Sequence, residues 1–240
     1  MSARALAGSV AFALFQLLVT PPWAVVSLLS FPLPPLARYR VISAWSRTMV
    51  WGARAFCGID YLVKGAENIP PEPCVILAKH ESAWETLALQ AIFPPQVWVV
   101  KRELLWIPFF GWGLAMLSPI AIDRRAGRRA LRQMIDQGRE RLKRGFSIVI
   151  FPEGTRVAPG QRGEYQAGGA WLALQTGAAI VPVAHNAGSF WPRKAFIKRP
   201  GTITVSIGAA VHPTGVKAAA LMHNIEQWIE NETARIRAAS

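Results

Sequence analysis

A histidine and a glutamate five residues apart, His80 and Glu85, have a spacing that suits acid–base chemistry. Imidazole titrates near neutral pH, and a carboxylate bonded to one ring nitrogen leaves the other nitrogen free to accept a proton. A step of five residues turns about 500° on a regular helix. We therefore expect His80 to lie at or before a helix start if Glu85 is to contact it. The spacing alone is also compatible with a solvated or helix-capping histidine.

A second candidate is the loop Phe151-Pro152-Glu153-Gly154-Thr155-Arg156, which follows a predicted strand. Glycine lets a backbone approach a ligand closely, Thr155 can donate a hydrogen bond, and Arg156 offers a planar fork that matches phosphate oxygens. Lys101 and Arg102 end another predicted strand in the same way. In a parallel sheet these loops meet at one edge, where such sheets bind ligands. The pattern predicts an anion site, although the loop alone could be an ordinary turn.

Other catalytic motifs do not match. Trp84 stands where an H-E-x-x-H zinc site starting at His80 needs its second histidine, and Ser82 is not within G-x-S-x-G. The sequence contains no phosphate-binding G-x-x-x-x-G-K-[ST] loop. Its two cysteines, Cys57 and Cys74, lack zinc-ligand spacing and are too few for a disulfide framework. We expect two reduced, buried thiols and no metal.

Short apolar runs that alternate with helical patterns must position these residues. The predicted strands are Cys74–Ala78, Val97–Val100, Ile120–Ile122, Ile148–Phe151, Ile180–Ala184 and Ile203–Ile207. The predicted helices are Glu81–Ile92, Arg128–Arg144, Gly169–Thr176 and a tail from Lys217 to Arg237. Because most strands are continuously apolar, we expect an α/β fold whose mixed, mostly parallel sheet is covered by helices on both faces.

The composition favours a membrane surface over a purely aqueous environment. Apolar residues make up 52% of the 240 residues and charged residues only 17%, which excludes intrinsic disorder. The net charge of +13 predicts an anionic partner. Seven Arg and Lys side chains lie in the helix predicted over residues 128–144, where they either face solvent or contact phosphates. No zinc-finger or RNA-binding motif accompanies them, so we do not expect a nucleic-acid partner.

The N-terminal segment predicts a membrane anchor. Residues 5–37 contain no charged side chain, which exceeds the apolar region of a secretory signal. We expect its prolines, Pro21-Pro22 among them, to divide it into short helices dipping into one leaflet, although one spanning helix or a buried core hairpin is also compatible. Arg40, Arg47 and Arg54 then share one helical face beside tryptophans, which is typical of an interfacial helix on anionic lipid, although a solvated face would look the same. We predict an anchoring segment over residues 1–56 and a catalytic domain over residues 57–240. We expect the catalytic domain to lie on the cytoplasmic face of the membrane.

Four ordered blocks of the sequence resemble those of one known family. They are His80-x4-Glu85, the run from Lys101 to Gly111, the run from Phe151 to Arg156, and Ile180-Val181-Pro182-Val183. The blocks resemble the glycerolipid acyltransferase family, and within it the small bacterial lysophosphatidate acyltransferases. The resemblance covers about residues 60–210, and its first and third blocks are highly specific to the family.

The resemblance implies acyl transfer to a lipid. The donor would be a thioester of coenzyme A or acyl carrier protein, the acceptor the sn-2 hydroxyl of lysophosphatidate, and the product phosphatidate, with no other cofactor. His80 would be the general base and Glu85 its supporting carboxylate, while backbone donors near the strand ends would stabilise the oxyanion. The implied phosphate-binding residues are Lys101, Arg102, Glu153, Gly154, Thr155 and Arg156. The implied location is the inner membrane.

Three positions depart from the family pattern. Glu85 replaces the usual aspartate, and Lys79 and Glu81 stand where asparagine and glutamine are common. None of these changes removes the histidine–carboxylate pair that acid–base catalysis needs, but they leave the identity of the acyl acceptor open. A related enzyme with another lyso-lipid acceptor, such as a lyso-ornithine lipid, fits the same blocks. A non-catalytic basic membrane-binding protein fits only the composition.

Overall fold

A seven-stranded sheet forms the centre of the protein in a computed structural model, which describes residues 2–93, 95–107 and 110–239. Pro108 and Phe109 of the second sequence block lie outside the described residues. The strands are β1 (Ile59–Lys64), β2 (Val75–Ala78), β3 (Gln96–Lys101), β4 (Ile120–Ile122), β5 (Ser147–Ile150), β6 (Ile180–His185) and β7 (Gly201–Ile207). Their order is β1-β7-β6-β2-β5-β3-β4.

The sheet is mixed and mostly parallel, as predicted. Among the described strands, the pair β6–β7 is antiparallel, and the other neighbours are parallel. Therefore β2, β3, β5 and β6 all end at the same edge. Alternate residues of β2 pack into two apolar clusters, Ile76 in one and Leu77 in the other. Both faces of the sheet are therefore covered, which explains the continuously apolar strands.

All six predicted strands are confirmed, with boundaries that differ by at most two residues. The strand that the sequence did not predict is β1, which lies at the end of the sheet and pairs with β7. Its sequence Ile-Asp-Tyr-Leu-Val-Lys contains two charged residues, and most of its side chains are partly or fully exposed. It therefore lacks the unbroken apolar run that marks the central strands.

Eight α-helices surround the sheet in the described part of the chain. They are α1 (Ala3–Leu29), α2 (Pro35–Cys57), α3 (Trp84–Ile92), α4 (Phe110–Met116), α5 (Arg128–Lys143), α6 (Gly168–Thr176), α7 (Ala187–Phe190) and α8 (Ala218–Ala238). The predicted α5, α6 and α8 are confirmed to within one residue at each end. The short helices α4 and α7 were not predicted.

Helix α3 begins three residues later than predicted because side chains accept hydrogen bonds from the backbone N–H groups that precede it. The N–H groups of Glu81 and Ser82 donate to Glu85 Oε1, at 3.0 and 2.8 Å, and the N–H of Trp84 donates to Ser82 Oγ at 3.1 Å. These side chains satisfy amides that a helix start leaves without partners. His80 consequently lies before the helix, as the five-residue spacing requires.

Helix α1 is continuous through Pro21 and Pro22, so the expectation that these prolines divide the segment is wrong. Both proline side chains are exposed, so their rings lie on the face of the helix that does not pack against the rest of the protein. The helix ends before Pro32, and Pro35 begins α2, so the later prolines do separate two helices. By length and composition α1 could cross a membrane: its 27 residues extend about 40 Å, and the hydrocarbon core is about 30 Å thick.

Helices α1 and α2 pack against each other and against the sheet. Phe12 of α1 and Met49 of α2 are fully buried in the same apolar cluster as Ile76. Arg40 and Arg47 are exposed on α2, and Arg54 pairs with Asp60 at 3.2 Å. The two N-terminal helices therefore share a core with the sheet. The division into an anchor and a catalytic domain near residue 56 stays a prediction.

Candidate active site

The imidazole of His80 contacts the carboxylate of Glu85. His80 Nδ1 lies 2.8 Å from Glu85 Oε1, and the Glu85 side chain is completely buried. The carboxylate also accepts the two backbone N–H groups that delay the start of α3. Because an ionised carboxylate can only accept, Nδ1 is the donor, and Nε2 is left to accept a proton.

The backbone of His80 is held by the loop after β5. Glu153 Oε2 accepts the N–H of His80 at 2.8 Å, and the N–H of Val157 donates to the carbonyl of His80 at 2.9 Å. The ring of Phe151 stacks on the imidazole, with centroids 3.9 Å apart and planes 13° from parallel. The third sequence block therefore positions the first one.

The environment of Glu85 favours its charged form. Burial alone raises the pKa of this carboxyl, but the hydrogen bond from His80, the nearby His185 and His80 rings and the amide of Ser82 outweigh burial. The pKa of Glu85 is therefore lowered, and the group is ionised at neutral pH. A buried negative charge next to His80 stabilises an imidazolium if His80 takes a proton.

His185, which the sequence analysis did not single out, lies at the end of β6 and is fully buried. Its Nδ1 accepts the N–H of Ala187 at 3.2 Å, so its Nε2 donates to the carbonyl of Lys79 at 2.9 Å. Both ring nitrogens are occupied by the backbone. His185 therefore supports the loop before His80 and has no nitrogen available to act as a base.

A cavity of about 1300 Å³ opens beside His80. Most of its wall is apolar and comes from α1 to α5 and the neighbouring strands, with side chains such as Trp45, Leu87, Trp98, Leu117 and Met134. Lys101 and Arg156 also line the cavity. The cavity lining therefore combines apolar and cationic side chains, which suits an anionic amphiphile.

Five of the six predicted phosphate-binding residues line the cavity, and Arg102 does not. Lys101, Glu153, Gly154, Thr155 and Arg156 line the cavity. The carboxylate of Glu153 bonds Lys79 Nζ at 2.6 Å as well as the His80 N–H, so it holds the loop around His80. Arg102 is largely exposed and pairs with Asp123 at 3.3 Å. These positions do not test phosphate binding, which stays a prediction.

Two cations that the sequence analysis missed, Arg193 and Lys194, also line the cavity. Arg193 Nη1 donates to the backbone carbonyl of Arg156 at 2.6 Å. The signal available in the sequence was their place shortly after β6, because that strand ends at the same edge as β2 and β5. Neither residue belongs to one of the four sequence blocks that resemble the family.

The described residues contain no group of three or more His, Cys, Asp or Glu side chains placed to hold a metal ion. Cys57 and Cys74 are both free and buried, as predicted. Burial raises the pKa of the Cys74 thiol to about 11, although a hydrogen bond with Ser147 opposes this effect, and burial also raises the pKa of Cys57. Neither cysteine has the lowered pKa of a nucleophilic thiol.

The contact between His80 and the buried Glu85 carboxylate, beside a mostly apolar cavity that cationic side chains also line, marks a candidate active site. The chain belongs to the acyltransferase family: the family model described as Acyltransferase matches residues 60–186. The resemblance of the four blocks is thereby confirmed.

Individual relatives agree with the family assignment. The chain is 48% identical over 231 residues to a 1-acyl-sn-glycerol-3-phosphate acyltransferase of Pseudomonas aeruginosa, covering 93% of this chain and 90% of the relative. It is 30% identical over 175 residues to the human 1-acyl-sn-glycerol-3-phosphate acyltransferase beta, covering 70% and 63% of the two chains. The fold matches the crystal structure of the Thermotoga maritima 1-acyl-sn-glycerophosphate acyltransferase, with a TM-score of 0.80, 22% identity and coverage of 96% and 95%.

Proposed function

We propose that this protein transfers a fatty acyl group from a thioester to the sn-2 hydroxyl of lysophosphatidate and so forms phosphatidate. The observation that carries the proposal is the 2.8 Å contact between His80 Nδ1 and the buried Glu85 carboxylate, beside a cavity with apolar walls and cationic side chains. Lysophosphatidate has the matching parts: an apolar chain, a free hydroxyl and a phosphate. The activity for which the Pseudomonas and human relatives are named agrees with this substrate.

In the proposed reaction, His80 Nε2 takes the proton of the acceptor hydroxyl as its oxygen attacks the thioester carbonyl carbon. The new C–O bond forms, and the carbonyl electrons move to the oxygen of a tetrahedral intermediate. Backbone N–H groups at the strand ends stabilise this oxyanion. Collapse re-forms the carbonyl and breaks the C–S bond, and the thiolate takes the proton from the His80 imidazolium.

The cationic side chains of the cavity hold the phosphate in this proposal. Arg156 supplies a bidentate fork and Lys101 a second positive charge, while Gly154 and Thr155 let the loop approach the ligand. Glu153 contributes by holding His80. Arg102 adds to the positive surface outside the cavity. The donor is acyl-CoA or an acyl carrier protein thioester, and the reaction needs no metal.

The membrane assignment is part of the proposal. Helix α1 leaves Leu17, Leu18 and Leu29 each at least 70% exposed, and the basic face of α2 follows it. An exposed apolar helix beside basic side chains suits the surface of an anionic bilayer. The basic flank supports an orientation in which the catalytic domain faces the cytoplasm at the inner membrane.

Purified protein in mixed micelles tests the reaction directly. We expect release of free thiol from acyl-CoA on addition of lysophosphatidate, together with phosphatidate as product. The same assay with acyl carrier protein thioester identifies the preferred donor. Lysophosphatidylcholine and a lyso-ornithine lipid are the comparison acceptors. Faster transfer to either of them than to lysophosphatidate contradicts the proposed acceptor.

Arg156→Lys is expected to weaken acceptor binding. Lysine keeps the charge but loses the two parallel N–H donors, and one lost charge-assisted hydrogen bond corresponds to about a tenfold or larger rise in the KM for lysophosphatidate. The KM for the thioester should change less. Initial rates with each substrate varied in turn provide the measurement. Arg139→Lys is the control, because Arg139 is exposed on α5 and its guanidinium bonds the Gln175 carbonyl. An effect confined to the donor KM would place the phosphate site elsewhere.

Replacing Leu17, Leu18 and Leu29 together by glutamine is expected to lower the membrane-bound fraction on anionic vesicles. Substitution is preferable to deletion of α1, because Phe12 is in the core and Ser9 Oγ accepts the N–H of Lys198 at 2.9 Å. The remaining binding should fall as salt rises, since the arginines of α2 attract lipid through a screened field. Leu62→Gln on β1 is the control. Unchanged partition of the triple variant contradicts the anchor.

A further inference from the structure

The two residues that flank His80 in the sequence are charged and fully buried. The side chains of Lys79 and Glu81 both have no solvent exposure. A buried charge is stable only with partners, because leaving water costs several kcal/mol per ion. The partners of these two side chains therefore govern where the segment around His80 can lie.

Both side chains find a partner on the same helix, α8. Lys79 Nζ lies 2.6 Å from Glu230 Oε1, and Glu81 Oε1 pairs with Arg237 Nη2. Glu230 and Arg237 are seven residues apart, which places them on one face of the helix. The buried side chains Ile229, Thr233 and Ile236 lie on the same side of α8. One helix face thus holds His80 from both neighbouring residues.

The Lys79 contact continues to the backbone of His80. Lys79 Nζ also donates to Glu153 Oε1 at 2.6 Å, and the second oxygen of Glu153 accepts the N–H of His80. On the other side, Tyr165 donates its hydroxyl to Glu230 at 2.7 Å. Burial and the negative charges of Glu153 and Glu230 raise the pKa of Tyr165, so its hydroxyl keeps the proton it donates. A chain of charge-assisted bonds therefore joins α8 to His80.

The Glu81 contact has little room to move. A methyl group on Gly188 would lie 2.8 Å from Glu81 Oε2 and 2.9 Å from its Cβ. The backbone N–H of Glu81 also donates to Glu85 Oε1. A shift of Glu81 therefore moves the carboxylate that orients His80.

We infer that the C-terminal half of α8 is a clamp that positions the segment over residues 79–81, with Glu230 and Arg237 as positioning residues for His80. The inference rests on the proposed function of His80. Neither residue needs to touch substrate, because each acts through the charged neighbour of His80 that it holds. A displacement of about 1 Å at a reacting group can cost about a hundredfold in rate. We therefore expect loss of either contact to lower kcat about 10- to 100-fold.

Glu230→Gln and Arg237→Gln are the primary variants. The expected result is a lower kcat with nearly unchanged KM for both substrates, measured at a temperature where circular dichroism shows each variant to be fully folded. Arg235→Gln is the matched control, because Arg235 lies on the same helix turn but pairs with Glu232 near the surface. Where Glu230→Gln fails to fold, Glu230→Asp keeps the charge and shortens the reach by one methylene.

A double variant separates positioning from damage by an unpaired charge. Glu81→Gln combined with Arg237→Gln removes both charges and allows an amide–amide bond. We expect it to recover most of the kcat lost in Arg237→Gln. A kcat equal to that of the wild type in folded Glu230→Gln and Arg237→Gln would show that α8 contributes stability alone and would overturn the inference. A raised KM with unchanged kcat would overturn it by placing α8 in substrate binding.

A readout independent of activity distinguishes this inference from the proposed reaction. The His80 ring signal in a histidine-labelled NMR spectrum can be assigned from its loss in His80→Ala. We expect this signal to shift in Arg237→Gln and to stay in place in Arg235→Gln. If the wild type transfers no acyl group but the signal shifts, the proposed function fails and the clamp stands. An unshifted signal in Arg237→Gln contradicts the clamp whatever the activity.

Discussion

His80→Ala is expected to reduce acyl transfer by about 10²–10⁴-fold, because the acceptor hydroxyl loses the group that takes its proton. The loss should appear in kcat with either thioester donor. His80 lies in a loop and its side chain is partly exposed, so its removal leaves the buried apolar clusters intact. Thiol release and phosphatidate formation, measured together on the purified variant, provide the test.

His223→Ala is the matched control for His80→Ala. His223 is exposed on α8 and lies outside the cavity lining. The control should retain wild-type activity, and both variants should keep the membrane binding of the wild type. A His80→Ala enzyme with more than half of the wild-type rate would remove His80 from the mechanism.

Glu85→Gln is expected to impair the enzyme severely, with a loss in kcat that approaches that of His80→Ala. The amide keeps the size of the side chain but removes the negative charge that stabilises the imidazolium of His80 in the transition state. It can also present an N–H₂ group to the two backbone N–H groups that now donate to Glu85. Glu67→Gln, at an exposed position, is the control.

Glu85→Asp separates charge from reach. Aspartate keeps the charge but is one methylene shorter, and Glu85 Oε1 now accepts from His80 and two backbone amides at once. We expect partial activity that lies between the wild type and Glu85→Gln. A Glu85→Gln enzyme as active as the wild type would reduce Glu85 to a residue that merely organises the start of α3.

The lowered pKa of Glu85 also predicts a pH dependence of stability. Because the folded protein favours the carboxylate, Glu85 stabilises the fold above the ordinary pKa of 4.5. That contribution is lost as the pH falls through the lowered value. The melting temperatures of the wild type and Glu85→Gln should therefore differ most near neutral pH and converge in acid. A constant difference across this range contradicts the assignment.

The central strands and the contact between His80 and Glu85 could be predicted from the sequence because both depend on local patterns. An unbroken apolar run such as Ile148–Phe151 indicates a strand buried on both faces, wherever it lies in the sheet. The five-residue step from His80 to Glu85 fits one local geometry, with the histidine before the helix. The 2.8 Å contact between their side chains follows from that geometry.

Features that depend on exposure or on distant partners could not be predicted in this way. Pro21 and Pro22 lie within α1 on the face that does not pack against the rest of the protein, where their rings have room. The sequence pattern of a helix does not show which of its faces will be left exposed. Edge strand β1 has a mixed pattern because much of its surface is not covered. Arg193 reaches the cavity because β6 lies beside β2, and this order follows from the topology of the whole sheet.

The sequence by itself determined the α/β class, the central strands, the His80–Glu85 pair and the loop over residues 151–156 after β5, since short-range backbone geometry and side-chain chemistry dictate each of them. The tertiary structure alone decided that Lys79 and Glu81 are buried and that both are neutralised from α8. Glu230 lies 151 residues from Lys79, and Arg237 lies 156 residues from Glu81. A charged residue in a sequence is compatible with solvent until the packing of distant elements removes the water, and only then does its counter-charge become a requirement.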